Sequence, residues 1–195
     1  MGSINILIEG KTDEPVVIRL LNYVGLEVGT VYGRKGKPYV LGRLPNYNQA
    51  ARYMPWFVVI DLDMDTECPS EAIAKWLPNP ANGMCCRIAV RSIEAWLMAD
   101  REKMAEFLHV PLSKIPYNPE IDPNPKNTLI NIARQSHHKD IRDDIVPRSG
   151  SGAKVGPLYT ARLTEFTEQF WRPDFAANHS TSVRRCIAAL SKLST

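Results

Sequence analysis

Two short apolar runs in this chain each end in acid: Ile4-Asn5-Ile6-Leu7-Ile8 stops at Glu9-Gly10, and Trp56-Phe57-Val58-Val59-Ile60 stops at Asp61-Leu62-Asp63-Met64-Asp65. Runs of this length, rich in β-branched and aromatic residues, read as strands buried on both faces, which is how parallel sheets are built. In open α/β sheets ligands collect beyond the carboxyl ends of such strands, so both acidic clusters belong on one functional edge.

The intervening sequence alternates as a parallel sheet requires. Asp13, Glu14 and Pro15 supply helix start signals, and Val17, Leu20, Leu21 and Val24 recur at helical spacing before Gly25. Leu26 to Tyr32 reads as a second strand, Val40 to Tyr53 as a helical crossover with a break at Pro45, Glu71 to Leu77 as a short helix and Cys86 to Val90 as a fourth strand. Ser92 caps a helix whose Ile93, Leu97, Met104 and Leu108 share one face. Five prolines from Pro111 to Pro125 mark an irregular connector. Helices are then expected near Asn127 to Gln135, Leu158 to Phe170 and Ser182 to Leu193, with a Gly-rich loop around Lys154. The expected architecture is α/β: a parallel sheet flanked by helices over residues 1–110, and a helical extension over 111–195 packed on it as one structural unit.

Bulk properties exclude some functions and leave others open. The formal charge of +3 over 195 residues permits a nucleic-acid partner without demanding one. The four cysteines form no CxxC pair, which argues against a zinc ribbon or disulfide scaffold and fits a reducing, cytoplasmic setting. No apolar stretch approaches the ~20 residues of a membrane span, so no membrane partner is expected.

Glu9-Gly10-Lys11-Thr12 invites a phosphate-binding loop, but Asn5 stands where that motif requires glycine, and the strand leaves no loop to wrap phosphates. A glutamate on one strand and an Asp-x-Asp on another instead match what magnesium chemistry needs: a few hard oxygen ligands, with coordination sites left for water and phosphate. The competing reading of each cluster is an acidic turn at the surface. Glu94 lies in the first turn of its helix, where an acid complements the helix dipole or serves an ion at the same edge. Lys11, Arg91 and Lys154 are candidate phosphate contacts, Lys154 foremost because its loop glycines let backbone amides approach an anion. Trp96, Trp171 and Phe170 read as core, and His137 and His138 as surface loop.

The strand ending in Glu9-Gly10, with Asp61-Leu62-Asp63 after the third strand, resembles the TOPRIM superfamily, the catalytic core of topoisomerases, primases, maturation ribonucleases and OLD-type nucleases. The strings Glu9-Gly10-Lys11-Thr12-Asp13-Glu14, Ser92-Ile93-Glu94-Ala95-Trp96-Leu97-Met98-Ala99-Asp100 and Lys154-Val155-Gly156-Pro157 ahead of Trp171-Arg172-Pro173 are similar to bacterial TOPRIM-like proteins of mobile and phage-defence loci. The resemblance implies Mg2+ or Mn2+ on Glu9, Asp61 and Asp63, with Glu9 available for proton transfer and Asp65 or Glu94 assisting a second ion. It further implies hydrolysis of DNA or RNA, and a separately encoded ATPase if regulation follows the OLD pattern. A non-catalytic binding module and a small phosphate-ester hydrolase remain alternatives, and the sequence sets no oligomeric state.

Overall fold

The computed structural model describes residues 3–193; positions 1, 2, 194 and 195, the outermost ends of the two expected segments, lie outside the described residues. Four strands, β1 (Ile4–Ile8), β2 (Val28–Gly33), β3 (Trp56–Asp61) and β4 (Met84–Ala89), form one all-parallel sheet in the order β2-β1-β3-β4. The chain runs outward from β1 to β2, then returns across β1 and continues outward through β3 to β4. The point where strand order reverses therefore lies between β1 and β3, the two strands that end in acid.

Strand alternation sorts the core into two layers. Ile4, Ile6, Ile8, Phe57 and Val59 face a large cluster that includes Val17 and Leu20 of α1 (Asp13–Tyr23). Leu7, Val58 and Ile60 face the opposite side, against Val40 and Leu44 of α2 (Lys37–Ala50). α3 (Pro69–Trp76) covers the end of that second face beside Leu62 and Ile88. The sequence period of two is thus spent on two buried faces rather than on one wet and one dry face.

Every residue of α4 (Ile93–Ala99) is buried. The helix expected to continue through residue 108 instead stops at Asp100, and α5 (Arg101–Leu108) begins anew. The cause is Asp100, 1 % exposed, whose carboxylate caps Lys103 N–H and accepts three hydrogen bonds from Arg172. Conversely, Pro45 does not break α2, which runs on to Ala50. Its ring lies on the exposed side of the helix, where the carbonyl one turn back does not need a protein donor.

The proline-rich connector holds only two single 3-10 turns, at Leu112–Lys114 and Pro119–Ile121. Beyond it come α6 (Pro125–Ala133), α7 (Lys139–Ile145), α8 (Tyr159–Gln169), α9 (Pro173–Ala176) and α10 (Thr181–Ser191). The sequence reading lacked α7 and α9. In α7 only Ile141 and Ile145 are buried, too thin an apolar stripe to stand out among charges, and α9 is a single turn.

The extension shares the large core cluster of β1 and α1. Trp171 is fully buried and donates its indole N–H to the Trp96 carbonyl at 3.2 Å, while the Trp96 indole donates to Ser182 Oγ at 2.6 Å. Both indoles are therefore core groups with satisfied polar ends.

Candidate functional site

The carboxyl ends of β1 and β3 are tied through a side chain: Glu9 Oε1 accepts the Asp61 backbone N–H at 2.9 Å. The turn after Glu9 is closed by Asp13, only 7 % exposed, whose Oδ2 accepts from Gly10 N at 2.8 Å and Glu9 N at 3.1 Å. Asp13 is thus more than a helix-start acid; it draws the Glu9-Gly10 turn back onto α1.

Glu94, 3 % exposed, reaches the same edge from α4. Its carboxylate accepts from Ser92 Oγ at 2.7 Å and from the Tyr159 hydroxyl at 3.0 Å, and Lys126 Nζ stands 3.3 Å away. Helix-dipole complementation does not account for these partners, because two of the three come from the extension. A cavity of about 250 Å3 lies here, lined by Asp61, Asp63, Arg91, Ser92, Glu94, Asn124 and Lys126 among others.

Crowding of carboxylates in a partly dry place raises their affinity for protons. Glu9 is pushed up to about 7, chiefly by burial and also by Asp13 and Asp63, against the opposing Asp61 amide and Lys37. Asp13 is pushed up to about 6 by burial and then by Glu94, with the Gly10 amide and Lys126 opposing. Asp61 is driven well above the ordinary carboxylate range by burial and by the charges of Asp13, Glu94, Glu9 and Asp63. Burial works against the Lys126 charge, but Glu94, Asp61 and Asp13 outweigh it and strengthen its hold on the proton.

The second and third acids of the Asp-x-Asp-x-Asp run lie differently. Lys37, in the first turn of α2, bonds Asp63 at 3.0 Å and Asp65 at 2.6 Å, and its ammonium sits 5.0 Å from the Trp76 ring centre. Asp63 has φ of 52° and Arg91 has φ of 65°, left-handed values that an arginine rarely adopts. The two residues are joined by hydrogen bonds from Asp63 N to Arg91 O and from Arg91 Nη1 to Asp63 O. This link holds the loop after β3 against the loop after β4.

The structure thus brings Glu9, Asp61 and Glu94 to one edge, with Asp63 on the cavity wall. Asp65 shares the Lys37 ammonium with Asp63 and does not line the cavity. Lys154 is exposed and is not among the residues lining the cavity, so the structure does not bring it together with Glu9, Asp61 and Glu94. Of its loop glycines, Gly156 has a backbone role: a side chain there would strike the Asp144 carbonyl at 2.3 Å, so it seats the loop on α7. Lys11 is exposed, and Arg91 lines the cavity while pairing with Glu67 at 3.0 Å.

Among the described residues, no three His, Cys, Asp or Glu side chains are grouped closely enough to hold one metal ion as they stand. The donor chemistry nevertheless suits a hard divalent cation: oxygen ligands only, with proton affinities raised by mutual repulsion that a cation would relieve.

Asp13, Lys37, Lys126 and Tyr159 escaped the sequence reading. Asp13 was visible four residues after Glu9, and Lys37 follows the end of β2, where the strand-end rule applies equally. Lys126 and Tyr159 arrive from helices far along the chain, and no local pattern marks them. No family model, curated protein or solved structure matches the chain.

Proposed function

We propose that the chain is a TOPRIM-like, metal-dependent phosphodiesterase that hydrolyses DNA or RNA in the cytoplasm, in the setting of phage defence and with a separately encoded ATPase as regulatory partner. The observation that supports this most is the convergence of Glu9, Asp13, Asp61 and Glu94, from three separate stretches of sequence, at the carboxyl edge of the sheet, where their charges are coupled. Glu9, Asp61 and Asp63 would hold Mg2+ or Mn2+, with Glu94 or Asp65 available to a second ion.

Such an ion supplies Lewis acidity toward a phosphate oxygen and a more acidic bound water. The chain's own residues supply the rest. Without metal Glu9 holds its proton up to about 7, and a bound ion would favour the ionised carboxylate that coordinates it. Lys126 brings positive charge to the cavity that Lys154 was expected to bring, and Ser92 and Tyr159 fix the Glu94 carboxylate by donating to its two oxygens. Lys37 ties Asp63, on the cavity wall, to Asp65 outside it.

One observation favours a second reading. Lys37 already pairs with both Asp63 and Asp65, an arrangement suited to a TOPRIM-like module that binds nucleic acid or a partner without cleaving it. Incubation of the purified chain with single- and double-stranded DNA and RNA, with Mg2+, Mn2+ or EDTA, separates the two. The nuclease reading requires metal-dependent cleavage that Glu9→Gln and Asp61→Asn abolish. Equal cleavage by all three proteins refutes the assigned chemistry, and cleavage by none of them rejects the nuclease in favour of the binding module or a small phosphate-ester hydrolase.

A further inference from the structure

β4 is the outermost strand on its side of the sheet, and a second cavity of about 370 Å3 opens along it between α3 and α10. Its walls carry Ile73, Ile88 and Val90 together with Arg87, Arg185 and Glu120. The carboxylate of Glu120 is already engaged. It accepts from Ser180 Oγ at 2.6 Å, Thr181 N at 3.1 Å, Ser182 N at 2.9 Å and Ser182 Oγ, and so caps the start of α10.

The two arginines are not so engaged. Neither forms an ion pair among the described residues. Arg87 reaches the Cys85 thiol, but its Nε is buried with no hydrogen-bond acceptor. A buried donor without a partner is unfavourable, and a guanidinium gains most from a carboxylate, sulfonate or phosphate.

We propose that the cavity beside β4 is a binding site for a small organic anion with a compact apolar body, its charge set against Arg87 and Arg185 and its body against Ile73, Ile88 and Val90. The apolar part of the wall offers nothing to the hydration shell of an inorganic ion, and a neutral apolar ligand leaves both guanidinium groups without a counter-charge. The volume lies in the range of ligand pockets, which combine an apolar lining with a few convergent polar groups. This site is separate from the acidic cavity and does not depend on hydrolysis.

The full chain is titrated with 8-anilinonaphthalene-1-sulfonate, read by fluorescence, beside the uncharged N-phenyl-1-naphthylamine. Saturable one-site binding of the sulfonate is expected, with the neutral analogue about tenfold weaker or worse, as loss of a charge-assisted hydrogen bond implies. Arg185→Glu should weaken sulfonate binding by a similar factor. Arg184→Glu, an equal change of charge at an exposed neighbour outside the cavity, should leave it unchanged. Arg87→Met should match Arg185→Glu wherever near-ultraviolet circular dichroism shows a native core, and the Arg185/Arg184 pair decides the test whether or not it folds. Equal binding of the two probes, equal losses in Arg184→Glu and Arg185→Glu, or no saturable sulfonate binding would each overturn the proposal.

Discussion

Asp13→Asn isolates what the acidic edge subtracts from stability. The substitution preserves side-chain shape, and one amide oxygen can replace the carboxylate, because the bonds from Gly10 N and Glu9 N both end on Oδ2. Only charge is removed. In the folded chain Asp13 is raised from 3.8 to about 6 by burial and by Glu94, after the favourable effect of the amides is included. A folded value above the unfolded one means that the native state holds the proton longer. Stability from this group is therefore whole below the unfolded value, declines as pH rises from 3.8 to about 6, and stays reduced beyond. That interval corresponds to roughly 3 kcal/mol, and sharing of the repulsion with Asp61 and Glu94 leaves about 2–3 kcal/mol as the gain from neutralising Asp13. Asp13→Asn should thus be more stable than wild type by this amount at pH 8 in EDTA, a rise in Tm of about 4–10 °C for a chain of this size, and nearly equal to it at pH 4. Urea unfolding at the two pH values measures the difference. Destabilisation of the variant by the same amount at both would show that the ionised carboxylate is comfortably solvated, and the account of a repulsive edge would fail.

Two further outcomes follow from the same geometry. Lys126→Ala should lower nuclease activity at least tenfold with the fold retained, whereas Lys154→Ala should behave as wild type; the reverse ranking in a cleavage assay would return the phosphate contact to the Gly-rich loop. Trp171→Ala should lose about 3–5 kcal/mol in denaturant unfolding, because it empties a fully buried site and leaves the Trp96 carbonyl without its donor, and a loss under 1 kcal/mol would contradict the described packing.

What could be read in advance divides along physical lines. The sheet was legible because β1 and β3 are nearly continuous apolar runs, and the edge because Glu9 and Asp61 terminate them. Glu94 was ambiguous in sequence, since an acid in a first helical turn is ordinary, and only its contacts with Tyr159 and Lys126 distinguish it. The break at Asp100 was illegible because the apolar positions on both sides keep helical spacing, while the cause is Arg172, far along the chain. The loop around Lys154 was ambiguous for the complementary reason: Gly156, which looked like part of an anion cradle, permits a close backbone approach to α7.

Glu94 owes its ion-pair and hydroxyl partners to α6 and α8. Cutting the chain in the proline-rich stretch would therefore not yield a smaller working version of the sheet. It would strip the counter-charge from an acid that is nearly sealed from water and remove half the lining of the main apolar interior at once. Any graft of this acidic edge onto another scaffold therefore has to carry the distant helices with it.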